Sequence, residues 1–426
     1  MEFEKLSGGK LNETLYRGRH KSGLMVYVLP REGFSKSYAS FAARVGSVDN
    51  EFIAPGDTEP TKIPDGVAHF LEHKLFEQPD GSNSFDQYSK TGASANAFTS
   101  FDTTAYIFSS TDRFYENLEI LLDFVGKPYF TDENVAKEQG IIGQEIRMYD
   151  DDANWRVYFN LLTALYAKHP IRNDIAGTVE SIAEIDKELL YKCYNTFYNP
   201  SNMVLFTRGD IQPERVAALA DKYVTAAPIG EIKRIFPHEP KGVAQKLVTQ
   251  KLSVASPIFM LGFKDNASCA SGRELLRKEI TTEILCELLA GKSSKLYNRL
   301  YEKGLINDTF YCQYSQDSGC AYAAMGGESA DPAAAREEIM FAIRSAELCE
   351  EDFQNCKKAM IGSFLRLFNN VEGVSNAFVN RIFMGIDLFE YLDVCEDITL
   401  DETRQRMEYL FNEENSAMSV IEANSD

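Results

Sequence analysis

The chain has 426 residues, of which 44% are hydrophobic and 25% charged, and it carries a net charge of −20 at pH 7. That length suits two domains of roughly 200 residues each, with apolar side chains enough for two cores. The acidity excludes a nucleic-acid binder, since phosphate contacts need a basic surface; it fits simple solubility, or an acidic cavity that attracts basic peptides.

Residues 1–6 show no basic head ahead of an apolar run, and no stretch approaches the roughly 20 apolar residues of a membrane helix. A cytoplasmic protein is the expectation. Residues 25–30 and 38–45 read as two strands joined by a turn-rich link. A loop rich in Pro, Gly and acidic residues follows over 50–66, with Asp65 placed to cap the next helix. That helix carries Gly66-Val67-Ala68-His69-Phe70-Leu71-Glu72-His73. A short helix spans 85–88. Small residues then line one strand of a hairpin, Gly92-Ala93-Ser94-Ala95-Asn96-Ala97-Phe98-Thr99-Ser100, whose second strand covers 103–109. A strand of that kind suits either a packed interior or an edge that accepts an extended peptide.

An amphipathic helix covers 113–125, with Leu118, Leu121, Leu122 and Val125 on one face. Thr131 then caps a long helix running to about 149, and Glu138 and Glu145, seven residues apart, share one of its faces. Helices at 155–165, 179–185 and 188–197 lead to a strand at 203–207 and a helix at 212–223. His169 reads as a loop residue. Residues 226–246, with Pro228, Pro237 and Pro240, read as a linker in which His238 is solvated.

The second half repeats this grammar. A strand at 257–263 precedes helices at 273–290 and 294–301, strands at 309–315 and 320–326, and helices at 332–348 and 351–367. Its closing run, Leu410-Phe411-Asn412 through Ser419-Val420-Ile421, echoes Phe197-Tyr198-Asn199 through Met203-Val204-Leu205. An internal duplication is the expectation. From residue 247 onward there is no histidine, so a metal belongs to the first half. The eight cysteines form no Cys-x-x-Cys pair and fit buried free thiols in a reducing compartment; Cys312 and Cys320 are the pair that a hairpin would bring face to face.

His69 and His73 stand four residues apart, so a helix presents both on one face, roughly 6 Å apart along its axis. Two imidazoles so spaced can grip one zinc ion and leave room for a third ligand and a water. Glu72 leans toward the same face and is placed to take a proton from that water. The third ligand should be a carboxylate. Glu138 and Glu145 both qualify, one to ligate and the other to orient a histidine.

The pattern His-x-x-Glu-His, the run Asn96-Ala97-Phe98-Thr99-Ser100 with Thr104 and Tyr106, and Glu138 through Glu145 together resemble the pitrilysin-type inverted zinc peptidases. That family includes insulin-degrading enzyme and mitochondrial processing peptidase, and the resemblance covers nearly the whole chain, as a short two-domain bacterial-type member. It implies an α+β protein of two homologous α/β sandwich (roll) domains, each a mostly antiparallel sheet packed with helices. A zinc-binding peptidase domain at 1–225, a linker at 226–246 and an inactive repeat at 247–426 follow. One zinc ion per chain would be held by His69, His73 and Glu145, with Glu72 as base, Glu138 in support, and the peptide paired along Asn96, Ala97, Phe98 and Thr99.

The family also carries an Arg and a Tyr, seven residues apart, in the second half, which hold substrate and oxyanion. Here Leu300 and Asn307, or Tyr301 and Asp308, fall at those positions. The resemblance thus implies a zinc-dependent endopeptidase that cleaves short peptides or unfolded and leader segments inside a closed chamber, as the zinc-bearing subunit of a dimer. A paralogous partner would supply the Arg/Tyr pair. The alternatives are a self-sufficient homodimer using Arg299 or Tyr311, and a non-catalytic peptide-binding or assembly subunit.

Overall fold

The computed structural model describes residues 1–267, 271–317 and 319–424. Its strands are β1 (Phe3–Ser7), β2 (Thr14–Arg19), β3 (Met25–Pro30), β4 (Ser37–Ala43), β5 (Glu51–Ile53), β6 (Thr61–Lys62), β7 (Ser94–Thr99), β8 (Thr104–Ser110), β9 (Met203–Gly209) and β10 (Lys233–Arg234). In the second half they are β11 (Leu247–Leu252), β12 (Ile258–Lys264), β13 (Tyr311–Asp317), β14 (Cys320–Glu328) and β15 (Ser416–Ala423). One sheet runs β1-β2-β3-β9-β4-β8-β7, a small one β10-β5-β6, and a third β11-β15-β12-β14-β13. The fold is α+β, as the sequence implied.

The duplication is visible strand by strand. In the first sheet β3 pairs parallel with β9, then β4, β8 and β7 follow antiparallel. In the third, β11 pairs parallel with β15, then β12, β14 and β13 follow antiparallel. Even the matching asparagines do the same job. Asn199 accepts from Ser201 N and Asn412 from Glu414 N, each capping a short turn before β9 and β15.

Two compact units result, and they interleave along the chain. The first comprises Met1–Gln144, Asp174–Ile235 and Leu365–Phe389; the second comprises Glu145–Asn173, Phe236–Phe364 and Glu390–Asp426. A division into 1–225 and 247–426 therefore needs amending by an exchange of segments. The helix Ala153–Leu165 packs on β12 and β15, and the helix Val371–Phe383 packs on β4 and β9. Packing explains why. Every residue of β4, β9 and β12 is buried, so both faces of these strands need covering. In the first unit Phe378 stacks on Phe206 at 5.1 Å, and Asn376 accepts from Tyr38 OH at 2.9 Å. In the second, Leu161 comes so close to β12 that a Cβ at Gly262 would sit 2.9 Å from it.

Residues 226–246 are likewise more than a linker. Lys233–Arg234 adds β10 to β5 in the first unit. In the second, Glu239 accepts from the backbone N–H groups of Ala167, Lys168 and His169 and pairs with Lys264 at 2.7 Å. The seven described cysteines are free thiols, and Cys269 lies outside the described residues. Cys312 sits opposite Met325 and Cys320 opposite Asp317, so those two thiols do not face each other.

Partial burial works against ionisation of Glu239, but Lys264 and the three N–H donors outweigh it and bring its carboxyl from 4.5 down to about 2. A depressed acid stabilises the fold above its unfolded value and loses that contribution as pH falls. Stability of the chain should therefore decline from about pH 4.5 toward pH 2. Glu239→Gln should cost about 1–2 kcal/mol at neutral pH, by urea unfolding, and flatten that part of the pH profile.

Candidate metal centre

The helix Val67–Lys74 begins on Gly66, not on an Asp65 cap. Gly66 has φ +94°, and a Cβ there would lie 2.5 Å from the carbonyl oxygen of Ala176. Asp65 instead accepts from Asn50 Nδ2, while its own carbonyl accepts from Ser181 Oγ. The far end of the helix is also held, because Tyr106 OH donates to Leu71 O at 3.3 Å and meets Tyr198 OH at 3.0 Å. The helix is thus fixed at both ends before any side chain acts.

From it His69 and His73 project side by side, ring centroids 4.6 Å apart. His69 is buried and His73 partly so. Burial, with the charge of His73 beside it, pulls His69 down to about 3, so its imidazole is neutral and its lone pair can face a cation. Opposite runs the helix Asp132–Asp150, opened by Thr131, whose Oγ1 accepts from Asn134 N while Asn134 Oδ1 accepts from Thr131 N.

Glu138 on that helix bonds His73 Nδ1 through Oε1 at 3.1 Å. Burial opposes its charge, but His73 and Lys74 outweigh this and hold Glu138 below the usual carboxylate range. Two turns on, Glu145 accepts from Tyr149 OH at 3.0 Å. One ligand atom each from His69, His73 and Glu145 lies within 4.8 Å of the others. Tetrahedral ligands of one ion at about 2.0–2.2 Å stand roughly 3.3–3.6 Å apart, so a rotamer adjustment of about 1 Å brings these three side chains to a zinc-type donor set. With Nδ1 of His73 committed to Glu138, the nitrogen presented to a metal is Nε2.

Glu72 is held as well. Thr99 Oγ1 donates to Glu72 Oε2 at 2.6 Å, and Thr104 Oγ1, 3.5 Å from Thr99 Oγ1, donates to Val45 O. Thr99 thus belongs with the glutamate as much as with a peptide edge. The other expected substrate residues lie along β7, the outermost strand of its sheet, where Asn96 is exposed and Ala97 and Phe98 are half-buried. A cavity of about 480 Å³ opens here, lined by Glu72, His73, Phe76, Phe85, Asn96 and Ala97, among others.

Other positions play no visible part in the donor set. His169 is buried, stacks on Phe236 and accepts from Ile171 N. Arg299 pairs with Glu338 at 3.2 Å, and Tyr311 OH turns to Met260 Sδ. Sequence reasoning passed over Lys74. The signal was there, a lysine among Phe70, Leu71 and Leu75 on a helix otherwise apolar on that side.

A mostly antiparallel duplicated sheet with an inverted histidine pair and a carboxylate on the next long helix is the build of a metallopeptidase. Its lineage is equally clear. Residues 52–179 match the insulinase family, peptidase family M16, and residues 184–360 match the M16 inactive domain. The zinc protease YmfH of Bacillus subtilis, itself uncharacterized, is 46% identical over 93% of this chain and 93% of its own. The crystal structure of an M16-like peptidase from Alicyclobacillus acidocaldarius superposes with a TM-score of 0.92 at 34% identity, covering 100% of this chain and 99% of that one. A protease from Helicobacter pylori shares the fold at TM-score 0.80 and 20% identity, covering 99% of each chain. The chain belongs to the M16 metallopeptidase family.

Gly66→Ala should test the start of the histidine helix. The positive φ and the Ala176 carbonyl together should destabilise the protein by about 2 kcal/mol or more in urea unfolding. Asp65→Ala, which removes no helix cap, should cost less than half of that.

Proposed function

We propose that this chain is a zinc-dependent endopeptidase acting on short peptides or unfolded and leader segments, with one zinc ion held by His69, His73 and Glu145. The observation that carries this reading is the convergence of those three ligand atoms within 4.8 Å, two of them from the helix that also bears Glu72 and the third from the helix Asp132–Asp150. Zinc, when bound, supplies a Lewis acid and a water acidified toward pKa 7. The remaining work falls to the protein. Glu72 takes the proton of the attacking water and returns it to the leaving nitrogen. Thr99 holds one oxygen of Glu72 at 2.6 Å and so orients the carboxylate. The backbone of β7 at Asn96, Ala97 and Phe98 pairs with an extended substrate, and the adjoining cavity receives one of its side chains.

The chain is read as the zinc-bearing subunit of a dimer that encloses a chamber. What favours this is the lack of an Arg/Tyr pair at 300/307 or 301/308, which a paralogous partner would make good. A homodimer working through Arg299 or Tyr311 is the second reading, and a non-catalytic subunit the third. The kept donor set and Glu72 weigh against the last. No helix among the described residues is long and apolar enough to cross a membrane, and the free thiols, Cys349 exposed among them, support a reducing cytoplasm.

Purified chain should bind one zinc by metal analysis, and His73→Ala should lose it; stoichiometric zinc in that variant would refute the ligand set. Glu72→Gln should keep zinc and lose at least about 10²-fold in peptide hydrolysis. Thr99→Val should lower kcat about tenfold with little change in KM, as expected for a group that orients the base. Full activity of the lone chain, abolished by Glu72→Gln, would remove the need for a second kind of subunit.

A further inference from the structure

Lys74 follows His73 directly, and its side chain is fully buried, at 0% exposure. Phe70, Leu71 and Leu75 around it are equally buried. Burying an ammonium is costly unless it is well paired. Here it is paired twice. Its Nζ donates to Glu77 Oε2 and reaches Glu138 Oε2 at 3.4 Å.

The second contact matters more. Glu138 spends its two oxygens on different partners, Oε1 on His73 Nδ1 at 3.1 Å and Oε2 on Lys74. A carboxylate held by one oxygen alone can turn about its last torsion, and a terminal torsion of this type is soft. Held by both, it cannot turn without giving up a bond. Two consequences follow for the donor set. His73 stays in the tautomer with its proton on Nδ1, so Nε2 keeps the lone pair. Glu138 is also kept from swinging in as a ligand, although it lies on the same face of the same helix as Glu145.

We infer that Lys74 is a positioning residue for the metal centre: by holding the second oxygen of Glu138 it fixes that carboxylate on His73 and leaves ligation to Glu145. This rests on the zinc-site reading above. It explains why two glutamates on one helix face take different roles, which their spacing leaves open.

The test is zinc affinity, measured by competition with a chromophoric chelator at one pH and ionic strength, on the full-length chain. Lys74→Met should weaken zinc binding about 10- to 100-fold, the range typical of lost outer partners of a metal ligand. Lys74→Arg, which keeps a cation and its donors, should recover most of it. In a Glu138→Ala background Lys74→Met should add little, because the effect runs through Glu138. A purely structural lysine would give additive losses, and that result, or unchanged affinity in Lys74→Met, would overturn the inference. If Lys74→Met does not fold, Lys74→Gln decides by the same assay, with at least about fivefold weakening expected and unchanged affinity overturning the idea. Metal-free wild-type protein should show His73 protonated at Nδ1 in long-range ¹H–¹⁵N spectra; protonation at Nε2 would contradict it. Failure of the wild-type chain to bind zinc at all would instead remove the zinc-site reading itself.

Discussion

The bond between Glu138 and His73 joins two helices that lie 65 residues apart in sequence. Each helix is positioned independently, one by Gly66 and Tyr106 at its two ends, the other by the Thr131–Asn134 cap. Their carboxylate–imidazole contact then sets the rotation of the longer helix about its axis. Once Glu138 faces His73, 3.6 residues per turn oblige Glu145, seven residues on, to face the same way. The geometry of the donor set is thus inherited from one hydrogen bond and a helical repeat.

A second constraint acts on the neighbouring strand. Thr99 closes β7 with its hydroxyl on Glu72, so the candidate base and the outer edge of the sheet share an anchor. A peptide pairing along β7 would load the strand that orients the base. The order Thr99 to Glu72 and Thr104 to Val45 also sends each hydroxyl proton to a different acceptor, so neither competes for the other.

Much of this was legible in the sequence because the signals are local. A four-residue histidine spacing, a seven-residue glutamate spacing and the small-residue run before Thr99 each describe one element. The structure has those elements within a residue or two, as β3, β7 and the helix Asp132–Asp150 show. The repeated asparagine turns before β9 and β15 likewise announced the duplication. Signals depending on distant partners were not legible. The strands β1, β2 and β11 alternate weakly and are defined by their neighbours in the sheet. Nothing local marks the helix Val371–Phe383 as the cover for β4 and β9, or Ala153–Leu165 as the cover for β12 and β15.

The same division holds at the site. Sequence alone determined the candidate ligand types, the candidate base, the family and the face on which each group stands, since these depend on residue identity and helical or strand repeat. Spacing alone leaves Glu138 and Glu145 equivalent as ligands, and only the family resemblance points to Glu145. Tertiary structure places His73 and Lys74 against the two oxygens of Glu138 and brings a carboxylate oxygen of Glu145 within 4.8 Å of the two histidines. It also tied the Thr99 hydroxyl to Glu72 and replaced an Asp65 cap with a left-handed Gly66. The physical reason is common to all three. Hydrogen bonds between residues far apart in the chain depend on where helices and strands are packed, and packing is a property of the folded whole.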